Sequence, residues 1–303
     1  MCRGSALSAR PERDVGEDGR VTHTPEYSSE QIRELQRVAE AIAREAGALV
    51  RTGREGHVSV AATKSSAQDV VTAMDLASEA LLRRRLAELR PDDGIMGEEE
   101  AYTGGISGIA WVVDPIDGTV NYLYGLPSYS VSVAAVAAPD GLAPDPATWT
   151  VLAGCVFAPV NGRSFVAGRG LGATLAGRPL RTNEARPLVD SLVGTGFGYV
   201  AARRRSQARV VAGLLPQVRD IRRIGSAALD LCAVASGSLD LYYERGLKPW
   251  DLAAGALVAQ EAGAVVTGLR GLPAGEAMTV AGPVGRVEEL VAYLEASDAD
   301  QDG

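Results

Sequence analysis

Between Trp111 and Tyr122 the chain reads WVVDPIDGTVNY, an apolar run that breaks into a Pro/Gly turn carrying two aspartates three residues apart. Val112 and Val113 predict a short buried strand that delivers Asp114 at its C-terminal end, where ligands collect in α/β folds. Pro115 cannot donate to a sheet ladder and Gly118 tolerates unusual φ. The chain is therefore expected to turn sharply, bringing the Ile116 carbonyl beside the Asp114 and Asp117 carboxylates. Such oxygens suit Mg²⁺ or Mn²⁺, and no Cys/His cluster competes here for a softer ion. A helix starting after the turn would add the free N–H groups of Gly118 and Thr119 as an anion site. An acidic turn with an Asp cap accounts for the same residues, since Asp and Gly populate turns for reasons of their own.

Two further segments bear on that choice. Ile95 and Met96 lead into Gly97, Glu98, Glu99 and Glu100, which reads either as carboxylate ligands at a strand end or as a solvated charged loop. The stretch LKPWDLAAGALVAQEAGAVVTG, Leu247 to Gly268, places Asp251 just before a small-residue helix, where it is expected as the N-cap.

Together these segments resemble the inositol monophosphatase family of Mg²⁺-dependent, lithium-sensitive phosphomonoesterases, over about Tyr27 to Leu294. The specific pieces are GEE at Gly97–Glu99, WVVDPIDGTVNYLYGLPSYSVSVA at Trp111–Ala134 and PWDLAAGALVAQEAG at Pro249–Gly263. The resemblance implies that Glu98, Asp114 and the Ile116 carbonyl hold one metal and that Asp114, Asp117 and Asp251 hold a second. A third ion through Glu98 and substitution by Mn²⁺ belong to the same expectation. The segment KSSAQDVVTAMDLASE, Lys64 to Glu79, resembles the family's mobile loop and the helix after it. By the resemblance Asp75 accepts a hydrogen bond from the Thr119 hydroxyl, and Glu98 and Thr119 activate the attacking water.

That chemistry explains the residue types. In-line displacement at a phosphomonoester dianion needs charge neutralised on both the attacking and the leaving oxygen, which two metal ions supply. No nucleophilic side chain is required, and His23 and His57, the two histidines, offer no Ser/His/Asp or Cys/His arrangement. Substrate choice must come from elsewhere. In RRIGSAALDLCAVASGSLDLYYERG, Arg222 to Gly246, which reads as a helix then a strand, the resemblance maps a hydroxyl-binding carboxylate onto Glu244 and pocket-lining residues onto Gly225 and Ala227. A carboxylate accepts two hydroxyl hydrogen bonds from a polyol; an exposed strand-end charge is the plainer reading of Glu244. The form of the motif after the turn favours a monophosphorylated polyol, inositol 1-phosphate first. Histidinol-phosphate and broad sugar-phosphate phosphatases share the metal ligands. A regulatory or interaction protein that keeps the fold is the alternative of another class. Gly194 to Arg205 is expected to border the pocket, with Arg203, Arg204 and Arg205 either drawing in an anion or forming a solvated helix face.

A net charge of −8 argues against a nucleic-acid surface and leaves an anionic substrate dependent on local metal charge. Cys2, Cys155 and Cys232 are scattered, and no apolar run suits a membrane span or signal peptide, which points to a reducing cytoplasm. Residues 1–26 lack apolar periodicity and are expected to be a disordered tail. A single catalytic domain of two tightly joined parts, about 27–185 and 186–296, follows, and 297–303 is expected to be flexible. Ser28 with Gln31 signals a capping box, and Ile32, Leu35, Ala39, Ile42, Ala46 and Leu49 recur at helical spacing up to Gly53. Further helices are expected over Asp75–Leu89, Ser206–Leu215 and Leu252–Ala262, and strands over Ser128–Val136, Gly154–Ala167, Leu171–Leu180 and Val189–Gly196, with a surface loop at Asp140–Trp149. That order resembles the family's αβαβα sandwich (α/β, α+β), with a hairpin-rich sheet in the first part, a smaller mixed sheet in the second and the metals at their junction. Family members are commonly dimeric; the periodicity shows no oligomer interface.

Overall fold

The computed structural model describes residues 27–54, 60–63, 70–138 and 142–302. The expected tail at 1–26, His23, His57, Cys2, residues 64–69 of the expected mobile loop and the start of the Asp140–Trp149 loop lie outside them. In chain order the first half comprises α1 (Ser29–Arg54), β1 (Val60–Thr63), β2 (Val70–Thr72), α2 (Ala73–Leu89), β3 (Gly94–Met96), β4 (Ile109–Asp117), α3 (Thr119–Tyr124), β5 (Ser130–Ala137), β6 (Thr150–Ala158), β7 (Arg163–Gly168), β8 (Gly172–Leu175) and β9 (Arg178–Pro179). The second comprises β10 (Leu192–Thr195), α4 (Ala201–Leu214), β11 (Asp220–Arg222), α5 (Ala227–Ala235), β12 (Leu241–Glu244), α6 (Pro249–Glu261), β13 (Ala264–Thr267), β14 (Thr279–Pro283) and α7 (Val287–Ala296).

Strands β3 to β9 form one seven-stranded sheet in sequence order. It is antiparallel throughout except for the β3–β4 pair. The second sheet has five strands in the order β11-β10-β12-β14-β13 and is mixed. Helices α1 and α2 cover one face of the larger sheet, and α5 and α6 fill the space between the two sheets. Helices α4 and α7 cover the outer face of the smaller sheet through Val210, Leu214, Leu290 and Leu294. The layering is αβαβα.

The capping box at the start of α1 is present: Ser28 N donates to Gln31 Oε1 at 2.8 Å and Gln31 N to Ser28 Oγ at 3.2 Å. The buried stripe of α1 runs through Ile32, Leu35, Ala39, Ile42 and Ala46 and ends on Val50, leaving Leu49 half-buried. Because both faces of the larger sheet are covered, β4 is buried at all nine residues and β5 at all eight. Such strands read as continuous apolar runs, not as alternation. Small residues set the spacing on the inner side: a Cβ at Gly154 would come within 3.0 Å of the Ala254 Cα, so α6 lies flush on β6. Each fully buried Leu or Ile, such as Ile42, Leu82 and Leu86, contributes roughly 1.5–3 kcal/mol relative to exposure.

Three sequence expectations are corrected. The strand expected at Val112–Val113 runs the full length of β4, through Asp114 and Pro115. The break is a bulge within the ladder: Asp114 faces Ser132 and Asp117 faces Ser130, so three steps on β4 match two on β5. A proline is tolerated in a sheet interior at such an irregularity, where its missing N–H has no partner to lose. Helix α4 starts at Ala201, five residues before the expected Ser206, and Arg203 is half-buried within it, against Gly198 and Gly246. The end of the chain packs back where a loose segment was expected: Ala299 is buried, Ser206 Oγ donates to the Gln301 carbonyl at 2.8 Å, and Arg245 pairs with Asp302 at 2.7 Å.

Candidate active site

The β4 bulge determines where the carboxylates point. Ile116 N donates to Asp114 Oδ1 at 2.9 Å, closing a tight local turn inside the strand, and Asp114 is 1% exposed. Gly118 follows with φ +99°, a left-handed conformation open to glycine at little cost. It also sits where a Cβ would come within 3.0 Å of the Gly225 carbonyl and 3.1 Å of the Ser128 carbonyl. The turn is therefore pressed against the second half of the chain.

Asp117 makes that junction. Its carboxylate accepts from Ser226 Oγ at 2.5 Å, from Ala228 N at 2.8 Å and from Ala227 N at 3.2 Å. It thus sits on the N-terminus of α5, whose free N–H groups and dipole favour an anion. Asn121, on α3, donates across the same junction to the Ile224 carbonyl at 2.9 Å and, within its own half, to the Ser128 carbonyl at 2.7 Å.

Asp251 arrives on α6, but not as the N-cap. The N-cap is Lys248, Pro249 opens the helix, and Asp251 is the third residue within it, reaching back to accept from Lys248 N at 2.7 Å. The expectation was misplaced because a Pro at the first helical position brings the start forward. The first turn is also tied to the larger sheet, where Ser132 Oγ donates to the Trp250 carbonyl at 3.2 Å.

Asp114, Asp117 and Asp251 each offer an oxygen within 4.8 Å of the others. Burial, then the carboxylates of Glu98, Asp117 and Asp251, push the Asp114 carboxyl well above the usual carboxylate range. Burial, then Asp117 and Glu98, do the same to Asp251. Burial raises Asp117 as well, against the hydrogen bonds from Ser226, Ala228 and Ala227. Like charges crowded in a buried space with hard oxygen donors fit a divalent cation of the Mg²⁺ or Mn²⁺ type, which would reverse that repulsion. Glu98, half-buried on the loop after β3, is outside this tight group of three although its charge reaches Asp114 and Asp251. The Ile116 carbonyl is 3.1 Å from the Thr119 hydroxyl, which also donates to Asp75 Oδ1 at 3.0 Å, the contact implied by the resemblance. Asp75 is fully buried; its other oxygen accepts from Thr72 N at 2.8 Å and Thr72 Oγ1 at 2.5 Å, closing the capping box of α2. Burial raises its pKa and these hydrogen bonds oppose the shift.

Glu244 ends β12 half-buried rather than as an exposed strand-end charge. Tyr242 donates to its Oε2 at 2.7 Å. Burial lifts it to about 7, against the Tyr242 hydrogen bond and the Arg223 charge. It occupies the space of an absent side chain, since a Cβ at Gly196 would come within 2.0 Å of its carboxylate. Gly225 and Ala227 flank Ser226 at the start of α5, so both lie beside Asp117 and Gly118.

Ser226, Asn121, Ser78 and Glu79 were not among the residues singled out by sequence. Ser226 carries an N-cap signal before the apolar run AALDL, and its side chain accepts from Leu229 N. Ser78 Oγ donates to the Pro115 carbonyl at 3.1 Å, and Ser78 and Glu79 share a helical face with Asp75 at the i, i+3, i+4 spacing.

The sequence model of the "Inositol monophosphatase family" matches residues 31–296. An inositol-1-monophosphatase of Mycobacterium leprae is 44% identical over 292 residues, covering 89% of this chain and 96% of that protein. A Nus factor SuhB of Xylella fastidiosa is 40% identical over 215 residues, covering 70% and 73%. Among solved structures, Mycobacterium tuberculosis SuhB superposes with a TM-score of 0.73 at 43% identity, over 89% of this chain and 98% of that one. The family match spans both sheets and every residue of the acidic junction, and the chain belongs to the inositol monophosphatase family, phosphoric monoester hydrolases.

Proposed function

We propose that the chain hydrolyses a small polyol phosphate monoester, inositol 1-phosphate in the first instance, by a Mg²⁺-dependent attack of water. The observation that carries the reading is the convergence of Asp114, Asp117 and Asp251 from β4 and α6, beside a Thr119 hydroxyl bonded to a buried Asp75. In this reading Glu98, Asp114 and the Ile116 carbonyl would hold one ion, and Asp114, Asp117 and Asp251 a second. A divalent cation held there would supply positive charge beside the phosphate ester and make an attacking water more acidic. Thr119, its proton directed to Asp75, orients that water together with Glu98. The backbone N–H groups of Gly118 and Thr119 face the phosphate, and Glu244 accepts hydroxyls of the polyol beside Gly225 and Ala227. Lithium inhibition at limiting Mg²⁺ and a reducing, cytoplasmic setting belong to the same reading. Cys155 and Cys232 are free and buried, and among the described residues no helix is long and apolar enough to cross a membrane.

A second reading, work through a protein partner, is favoured by the relatives that carry the name Nus factor SuhB. The test is phosphate release from inositol 1-phosphate, histidinol phosphate, fructose 1,6-bisphosphate and an aryl phosphate, with Mg²⁺ and with chelator. Mg²⁺-dependent preference for the inositol ester supports the proposal. A different preferred ester reassigns the pocket, and no turnover on any of them favours the partner reading.

A further inference from the structure

Glu79 is fully buried on α2, and both oxygens of its carboxylate accept from the loop that carries Glu98. Glu99 N donates to Glu79 Oε2 at 2.7 Å and Glu100 N to Oε1 at 3.0 Å. Arg83, one turn further along α2, donates from Nε to Glu79 Oε1 at 2.9 Å, and from its other arm to the Glu100 and Ala101 carbonyls at 2.9 and 3.2 Å. The ion pair is shielded, with side-chain exposures of 1% for Glu79 and 12% for Arg83. Gly97 completes the seat: a Cβ there would come within 2.1 Å of Glu79 Oε1, so the carboxylate lies flat against the Gly97 backbone. The loop cannot follow a sheet ladder here, since β3 ends at Met96. Its backbone donors are instead taken up by a side chain of α2.

The same helix face reaches the rest of the site, with Asp75 bonded to Thr119 and Ser78 to the Pro115 carbonyl. One rigid element therefore references the β3 loop and the β4 bulge to each other. We propose that Glu79, backed by Arg83, is a positioning residue that sets the reach of Glu98 toward Asp114, Asp117 and Asp251. Through it, the clamp sets the affinity of the site for the metal that Glu98 shares. The inference rests on Glu98 being a metal ligand. Outer partners that orient a ligand typically contribute about 10–100-fold to metal affinity.

The test is Mn²⁺ binding to the chelator-treated full chain, read as free Mn²⁺ by electron paramagnetic resonance, with a thermal melt on every variant. The variants are Glu98→Gln, Glu79→Gln, Gly97→Ala and the double variant of the two glutamates. Gly97→Ala leaves both charges of the clamp in place and only pushes the loop off its seat, so it carries the test if Glu79→Gln does not fold. The expected result is a loss of about tenfold in Mn²⁺ affinity for Glu98→Gln and of similar size for Glu79→Gln and Gly97→Ala. In the Glu98→Gln background Glu79→Gln should cost no further affinity while still lowering the melting temperature, because the two act on one ligand. Full Mn²⁺ affinity in folded Glu79→Gln or Gly97→Ala, beside a loss in Glu98→Gln, overturns the clamp. So do fully additive losses in the double variant. An unchanged affinity in Glu98→Gln removes the metal role of Glu98 itself, and the clamp proposal falls with it.

Discussion

Replacing Asp75 by Asn separates the structural work of this residue from the chemical work proposed for it. All three of its partners are donors: Thr72 N and Thr72 Oγ1 on one oxygen, and the Thr119 hydroxyl on the other. An amide has one acceptor end and one donor end, so it can serve only one side. With its carbonyl toward Thr72 the helix cap survives, and the amide nitrogen faces Thr119. The hydroxyl can then turn, donating to the Ile116 carbonyl at 3.1 Å and accepting from the amide. What is lost in stability is the charge assistance of the cap hydrogen bonds, about 1 kcal/mol, partly offset by no longer burying a carboxylate. At about 2–4 °C per kcal/mol for a chain of this order of size, the melting temperature should fall by no more than about 5 °C. Activity should fall far more, because Thr119 can no longer direct its proton to a carboxylate; general acid–base groups contribute about 10²–10⁴-fold. Phosphate release and a thermal melt on the same preparation decide it. Thr119→Val and the double variant should be no slower than Asp75→Asn alone if the pair acts as a unit. Turnover of Asp75→Asn within tenfold of wild type, in a chain that melts normally, refutes the relay.

Asp114→Asn keeps the acceptor for Ile116 N and removes one buried charge from a crowded cluster, so the metal-free melting temperature should hold or rise. The rise that Mg²⁺ produces in the wild type should vanish along with turnover; a retained Mg²⁺ shift would count against Asp114 as a ligand. Glu244→Gln should weaken discrimination among sugar phosphates more than activity on an aryl phosphate, and Gly196→Ala should imitate it, because its Cβ would occupy the carboxylate's place. Equal losses on both substrate types argue against a hydroxyl-reading role. Burial raises Glu244 to about 7 in the fold, so the folded chain holds a proton that the unfolded chain releases near 4.5. The stability this contributes is fully present below the unfolded pKa and is lost as pH rises through about 7. Metal-free wild type should therefore lose melting temperature relative to Glu244→Gln between about pH 5 and pH 8, and the opposite trend would show that Glu244 is not buried as described.

The αβαβα order was legible because its elements are local: the capping box of Ser28 and Gln31, the 3.6-residue stripe of α1 and the Ala/Gly-rich α6 each announce themselves within one stretch. Element ends were less legible. Helix α4 begins with Ala201 and a basic run that carries no apolar periodicity, so nothing local separates it from a loop. Asp251 was displaced by three residues from its expected N-cap because Asp serves equally well at the N-cap and at the third helical position, and only the Lys248 N–H contact tells them apart.

The sequence alone determined which residue types were available: a carboxylate pair around a Pro/Gly turn, a hydroxyl after it, and no histidine beyond position 57. It could not say that Asp117 sits on the N-terminus of α5, more than a hundred residues along the chain, or that Glu79 seats the loop of Glu98. Those contacts depend on how two sheets and the helices between them come together, and no periodicity within a single segment encodes a distance between segments. The β4 bulge is the clearest case. Its residues are all visible in WVVDPIDG, but whether they end a strand or kink one depends on the pairing partner, and Ser130 and Ser132 of β5 supply it.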